Sequence, residues 1–272
     1  MAKTKFKIVD KKEKPYIICD TNVWYEMSAN MFKKPDEFDL IPTSFSLVEL
    51  ATSQSMAEQP KFFQNTVKII YDNCGPIIRE NPYDYILQKQ FGDYKAESND
   101  IVYKVLDGFG NLMNRHIKGD DDIDDKVKQK IIEECRNERG VTQELANLGN
   151  EELLGLRKRI NTGMGQKEHL KIDSNEINRK MFMSLVNQYA SIKKYHVDWS
   201  KFDWSMIDLF MICTELYFKK LEVTKGMKIR SNDIVDWFNL LYVSPEDKYL
   251  TFDDRWRNFI LNDERISHYL FV

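Results

Sequence analysis

Short apolar runs that end in polar residues are the most regular pattern along the chain. The run Tyr16–Cys19 is followed at once by Asp20, and Asp39–Pro42 and residues 248–252 have the same character. Continuous apolar runs of this length are typical of strands buried on both faces of a parallel sheet. Such sheets bind ligands at the carboxyl ends of their strands. The pattern therefore predicts an α/β fold with candidate site residues directly after the strands.

Helical spacing of apolar residues predicts the elements that follow these strands. Ser44 is placed to cap a helix that carries Glu49. Another helix is predicted to begin with the acidic residues of 231–236 and to continue to Leu241. Residues 204–221 are apolar on nearly all sides, which is typical of a helix buried against a sheet.

The middle of the chain also has a helical texture. Four groups of apolar residues recur there at helical spacing: Val67, Ile70 and Tyr71; Ile131, Ile132 and Cys135; Leu153, Leu154 and Leu156; and Met181, Leu185 and Tyr189. Gly and Pro residues separate these groups and predict turns between the helices. The middle is therefore expected to be mainly helical.

Composition narrows the class of protein. With 272 residues and 42% apolar residues, the chain can bury a full core and is not expected to be disordered. Its apolar stretches are shorter than a membrane span, and its first residues lack the apolar core of a signal peptide. We expect a cytoplasmic protein without membrane contact. The four cysteines lack metal-ligand spacing, so free thiols are expected.

Four acidic motifs occur in a suggestive order. They are Asp20-Thr21-Asn22 after the first strand, Glu49 on a helix, Asp233 at a helix start and Thr251-Phe252-Asp253 after a later strand. Taken singly, each has an ordinary explanation as a turn, a helix cap or a solvated residue. In this order they resemble the PIN-domain nucleases, whose related toxin members cut RNA. The resemblance covers roughly the first and last quarters of the chain.

This resemblance implies a fold and a domain organisation. It implies a PIN-like, three-layer α/β/α architecture with a central parallel sheet. Residues 1–60 and 201–272 would form the α/β nuclease core. Residues 61–200, which compact members of the family do not need, would form a mainly helical insertion or cap.

The chemistry of phosphodiester hydrolysis gives the acidic motifs a common purpose. The reaction requires an activated water and neutralisation of phosphoryl charge, and hard divalent cations held by carboxylates provide both. Clustered carboxylates repel one another unless a cation lies between them. By resemblance, Asp20, Glu49, Asp233 and Asp253 are the predicted catalytic residues and ligands of one or two Mg²⁺ or Mn²⁺ ions. No His or Cys is needed.

Three neutral polar residues are predicted to surround these acids. Thr21, Asn22 and Thr251 would donate hydrogen bonds that orient the carboxylates or contact the phosphate. Local turn and cap bonding is an equal alternative for all three.

Two further acids have open roles. Asp236 lies on the same helix face as Asp233 and is either an outer ligand or a first-turn acid favoured by the helix dipole. Asp254 adjoins Asp253, so either of the two can point inward while the other caps the next helix. Asp253 is preferred because it completes the Thr-x-Asp spacing.

The expected partner is nucleic acid, with RNA preferred by the resemblance, and an inhibitory protein partner is also conceivable. The formal net charge of -3 is unusual for a polyanion-binding protein, although basic clusters such as residues 225–230 can be concentrated on one face. A noncatalytic PIN-like module that binds RNA or protein in a toxin-antitoxin or defence system is the alternative. Haloacid-dehalogenase-like phosphatases are disfavoured because Asn22 stands where they need a second Asp. Oligomeric state is not predicted.

Overall fold

A three-stranded parallel sheet lies at the centre of the protein. The computed structural model describes residues 16–53, 58–96, 100–117, 174–224 and 226–272, together with residues 125, 126, 129, 130, 133, 137, 143, 144, 146–151 and 154. The strands are β1 (Tyr16–Cys19), β2 (Asp39–Pro42) and β3 (Lys248–Leu250), in the spatial order β2-β1-β3. Both pairings of β1 are parallel. The predicted α/β class with a parallel sheet is therefore confirmed, and β3 ends two residues earlier than predicted.

The sheet is buried on both faces, as continuous apolar strands require. Side chains alternate between faces along a strand, so Ile17 and Cys19 point one way and Ile18 the other. Ile17 and Cys19 belong to one hydrophobic cluster, whereas Ile18 belongs to a second cluster with Ile41 and Tyr249. The helices pack against these two faces.

The first cluster receives side chains from α1 (Thr21–Ser28), α2 (Ser44–Ala51), α3 (Pro60–Asn73) and α5 (Asp100–Ile117). The second receives side chains from α4 (Pro82–Gln90), α6 (Ser174–Ile192), α7 (Asp208–Val223), α8 (Ser231–Asn239) and α9 (Asp254–Leu261). Short 3-10 helices cover Trp199–Lys201, Trp204–Ile207, Leu240–Tyr242 and Ser267–Tyr269. No helix among the described residues is both long and apolar enough to cross a membrane.

The described part of the middle of the chain is helical, as predicted. Val67 on α3 and Phe182 on α6 are fully buried, the first in the cluster that contains Ile17 and the second in the cluster that contains Ile18. Helices between residues 61 and 200 thus share the cores that cover the sheet. The predictions for Ile131, Ile132, Cys135, Leu153 and Leu156 lie outside the described residues.

Three details differ from the sequence-based expectations. The cap of α2 is Thr43, not Ser44, because Thr43 Oγ1 accepts from Ser46 N at 3.1 Å and Ser46 Oγ accepts from Thr43 N at 2.9 Å. This reciprocal pair satisfies two otherwise orphaned backbone donors. The helix that begins at Ser231 ends at Asn239, and its predicted last residues form a 3-10 turn. The segment 204–221 begins as a 3-10 turn, and its α-helix starts at Asp208.

Candidate functional site

A cavity of about 1430 Å³ opens at the carboxyl edge of the sheet. Its volume exceeds the roughly 300–1,000 Å³ of typical small-molecule sites. Seven acidic residues contribute to its lining: Asp20, Glu49, Glu151, Asp233, Asp236, Asp253 and Asp254. All four predicted catalytic acids, drawn from distant parts of the chain, therefore face one cavity.

Asp20 is held at the end of β1 by neutral donors. Its Oδ1 accepts from Thr21 N at 2.8 Å, and its Oδ2 accepts from Thr251 Oγ1 at 2.8 Å and from Asn22 Nδ2 at 3.0 Å. Asp20 is only 2% exposed. Burial raises the pKa of its carboxyl, the bonds from Thr251 and Thr21 partly offset this, and the charge of Asp253 raises the pKa further. The geometry fixes this carboxylate without neutralising it.

Glu49 is connected to the same turn through Thr21. The Thr21 hydroxyl donates to Glu49 Oε2 at 2.6 Å. Thr21 thus bridges two of the predicted acids, with its backbone on Asp20 and its side chain on Glu49. Asn22 also accepts from Phe252 N at 3.1 Å, which ties this turn to the segment after β3.

Asp233 is occupied by donors from the protein on both oxygens. Its Oδ2 accepts from Tyr217 Oη at 2.6 Å and from Arg230 N at 2.9 Å, while its Oδ1 accepts from Arg255 Nη1. The carboxylate is 3% exposed. It therefore lines the cavity as an anchor for its neighbours, and its predicted role as a metal ligand stays a prediction.

Asp236, one turn further along α8, has a carboxyl pKa that is affected by acids from other parts of the chain. Burial raises its pKa well above the usual range, and the charges of Asp20 and Glu49 raise it further. Its Oδ2 accepts from Trp256 Nε1 at 3.1 Å, and the side chain is 14% exposed. Sequence reasoning placed Asp236 outside the central set, because spacing alone does not show which of two acids on one helix face points toward Asp20.

Asp253 both caps α9 and lines the cavity, whereas the sequence suggested that Asp253 and Asp254 would divide these two roles. Its Oδ1 caps α9 by accepting from Arg255 N at 2.8 Å and from Trp256 N at 3.2 Å. Its Oδ2 lies 3.7 Å from Arg255 Nη2. Asp254, the first residue of α9, is exposed at the edge of the cavity. The cap is therefore Asp253 itself, and Asp254 is not needed for it.

Arg255 is a component that the sequence reasoning missed. Its guanidinium contacts the carboxylates of Asp233, Asp236 and Asp253, and its side chain is 22% exposed. Burial lowers the pKa of Arg255, but the hydrogen bond and charge of Asp233 more than compensate, so the pKa is raised. A cationic residue two positions after the Thr-x-Asp motif was the only available signal.

Another part of the lining carries amide and basic side chains. Lys220, Lys228 and Arg230 lie there with Asn150. Asn150 holds the backbone of Ile229 on both sides, because its Nδ2 donates to Ile229 O at 2.9 Å and its Oδ1 accepts from Ile229 N at 2.8 Å. The middle of the chain thus positions the loop that carries the basic residues.

The donor set fits a hard divalent cation that keeps part of its water shell. Among the described residues, no group of three or more His, Cys, Asp and Glu side chains is close enough together to hold a metal ion. Mg²⁺ is usually held by one or two carboxylates together with waters and substrate phosphates, so a ready-made cage is not required. The carboxylate oxygens suit such an ion, and so does the raised pKa of Asp20 and Asp236, which is caused first by burial and then by the charges of other acids in the lining.

Comparisons of the chain with family models, curated proteins and solved structures find no match. Function is therefore inferred from the geometry of the cavity and from the motifs that line it.

Proposed function

We propose that the protein is a divalent-metal-dependent nuclease with a PIN-like, three-layer α/β/α core, and that it hydrolyses phosphodiester bonds in RNA. The observation that carries this proposal is the meeting of Asp20, Glu49, Asp236 and Asp253 around one cavity at the carboxyl edge of a parallel sheet. Keeping several buried or partly buried carboxylates around one cavity is electrostatically costly, and a functional cation is the simplest reason to keep them.

The residues around the cavity would have two roles, to hold the ion and to orient the carboxylates that hold it. Asp20 and Glu49, which Thr21 links, would hold the ion together with waters and substrate phosphates, with Asp233, Asp236 and Asp253 supporting them. Thr251 and Asn22 fix the orientation of Asp20 through bonds to its Oδ2, so the carboxylate is in place before the ion arrives. A bound Mg²⁺ or Mn²⁺ supplies an activated water and neutralises charge on the phosphoryl group.

The basic lining supports a polyanionic substrate. Lys220, Lys228 and Arg230 are exposed and face the same cavity as the acids. Phosphates on either side of the cleaved bond would contact these cations and be held in register. RNA is proposed over DNA because of the resemblance to the PIN nucleases.

A noncatalytic binding module is the second candidate, and Arg255 is the observation that favours it. The guanidinium already neutralises part of the acidic cluster, which reduces the need for an external ion. In that case the cavity would bind RNA or a protein without cutting it. The two candidates differ in whether a divalent ion binds and in whether products form.

The decisive experiment is a cleavage assay with mixed-sequence RNA and single-stranded DNA in Mn²⁺ or in chelator. Wild type should cut RNA only with Mn²⁺, and Asp20→Asn should reduce cutting by more than about 100-fold, beyond the effect of losing an outer partner. Asp72→Asn is the matched control, because Asp72 is an exposed carboxylate on α3 that pairs with Lys68.

The products distinguish the outcomes further. A 2′,3′-cyclic phosphate end would indicate attack by the ribose hydroxyl and would contradict metal-driven hydrolysis. RNA binding without products under every condition would establish the binding module instead. Cutting that persists in chelator would also overturn the proposal.

A further inference from the structure

The guanidinium of Arg255 lies among three carboxylates. It contacts carboxylates from two helices, with Nη1 on Asp233 and with Nη2 at 3.5 Å from Asp236 Oδ2 and 3.7 Å from Asp253 Oδ2. Its Cζ also lies 5.7 Å from the ring centre of Tyr217 and 5.3 Å from that of Trp256. Guanidinium groups stack favourably on aromatic faces, so charge pairing and ring contacts hold Arg255 in one place.

The carboxylate oxygens near Arg255 are largely committed. Both oxygens of Asp233 accept from the protein, Asp253 Oδ1 caps α9, and Asp236 Oδ2 accepts from Trp256. At the other end of the cluster the donors to Asp20 are all neutral. The two ends therefore differ in charge balance: a guanidinium pairs with the carboxylates at the Asp233 end, whereas no cationic side chain in the described part of the chain forms an ion pair with Asp20.

We propose that Arg255 takes the place of a second divalent ion, so that the pocket binds a single Mg²⁺ or Mn²⁺ at the Asp20 end. This inference rests on the proposed metal-dependent function and defines the stoichiometry of its site. In two-metal sites the ions lie about 3.5–4 Å apart and share carboxylates. A guanidinium that contacts the same carboxylates repels a second ion and uses the oxygens it would need.

The identity of the residue suits this purpose. Arg stays charged at all physiological pH values and presents a planar set of donors that can bridge several carboxylates. Replacement by Gln removes the charge while keeping much of the length. Carboxylate oxygens of Asp236 and Asp253 would then become available to a second ion.

The test is a count of bound Mn²⁺ per chain, read from the free Mn²⁺ signal in electron paramagnetic resonance during titration. Wild type should bind one ion, and Arg255→Gln should bind about two, as in a two-metal site. Arg255→Lys keeps the charge and should remain at one. Arg265→Gln is the matched control, because Arg265 also bridges two carboxylates, Glu215 and Asp263, but does not line the cavity.

The outcomes separate this inference from the proposed function. Two ions in wild type, or one ion in a folded Arg255→Gln variant, would overturn the role of Arg255 and leave a metal-dependent nuclease intact. No ion in wild type would remove the metal site itself and with it the proposed function. If Arg255→Gln fails to fold, a count of two ions in wild type or in Arg255→Lys overturns the inference.

Discussion

Two neighbouring carboxylates of the cavity, Asp20 and Asp233, are equally buried but held in different ways. Asp20 accepts hydrogen bonds from a backbone amide, a hydroxyl and a side-chain amide, all neutral. Asp233 accepts from a guanidinium as well as from Tyr217 and a backbone amide. Neutral donors orient a carboxylate but leave its charge, whereas a guanidinium cancels it. Burial alone therefore does not separate these two carboxylates, whereas the charge of their bonded partners does.

The largest expected effect is a loss of stability when the ion pair of Asp233 is removed. Asp233→Asn should destabilise the fold by about 3 kcal/mol, because it leaves a largely buried guanidinium without its closest anion. Every partner of Asp233 is a donor, so the new amide group would also face a donor. Urea unfolding without metal measures the change.

A substitution at an exposed carboxylate is the control for the loss of stability in Asp233→Asn. Asp72→Asn should change stability by less than about 0.5 kcal/mol, as surface substitutions usually do. A loss below 1 kcal/mol for Asp233→Asn would show that Arg255 is satisfied by its other carboxylates, and Asp233 would no longer differ from Asp20 in this way.

The second prediction concerns the neutral donors that orient Asp20. Thr251→Val removes the hydroxyl that donates to Asp20 and accepts from Asp253 N, and Mn²⁺ affinity should fall by about 10- to 100-fold. Calorimetric titration measures the affinity. Thr66→Val is the control, since Thr66 is equally buried but bonds to Ser28 and the backbone of Phe62. Equal losses of affinity in both variants would indicate a general effect of destabilisation.

A third prediction concerns the pH dependence of stability that follows from the raised pKa values of two acids. The raised pKa values of Asp20 and Asp236 mean that the folded chain binds these protons more tightly than the unfolded chain. Their contribution to stability is therefore greatest below the ordinary Asp pKa of 3.8 and is lost as pH rises through the raised values. Asp236→Asn removes part of this penalty and should stabilise the metal-free protein at pH 8 by about 1 kcal/mol.

The pH series supplies its own control. The advantage of Asp236→Asn should shrink as the pH is lowered toward 3.8, and Mn²⁺ at pH 8 should stabilise wild type more than the variant. Thermal unfolding with and without Mn²⁺ measures both trends. A variant that is less stable than wild type at pH 8 would show that Asp236 is satisfied by Trp256 and not strained by its acidic neighbours.

The smallest expected effect lies on the basic lining. Lys228→Gln should weaken RNA binding nearly equally for all sequences and lower the slope of log affinity against log salt by about 1. Filter binding at several salt concentrations, with chelator present to prevent cutting, measures the slope. Lys68→Gln, on the exposed face of α3, should leave the slope unchanged. An unchanged slope for Lys228→Gln would place the bound strand away from this lining.

The strand that carries Asp20 was predictable because its signal is local. A continuous apolar run, Tyr16–Cys19, followed by Asp-Thr-Asn specifies a buried strand and a polar turn without reference to the rest of the chain. The same holds for Glu49, whose helix follows β2 after a short connection. Motif order then placed both residues at one edge of the sheet.

The environment of Asp233 and Asp236 was not predictable, because it depends on side chains that arrive from elsewhere. Tyr217 comes from α7 and Arg255 from α9, and neither contact follows from helical periodicity. The α2 cap shows the same limit at a smaller scale, since Thr43 and Ser44 are equally good capping residues and only the geometry of Ser46 selects Thr43.

The bond between Thr251 and Asp20 joins residues 231 positions apart. A ribosome that adds about 5–20 residues per second needs on the order of tens of seconds to make the chain between them. Throughout that interval the carboxylate after β1 lacks the hydroxyl that orients it, and β1 lacks its neighbour β3. The arrangement of polar side chains around Asp20 is therefore assembled only after β3 has been synthesised and has paired with β1.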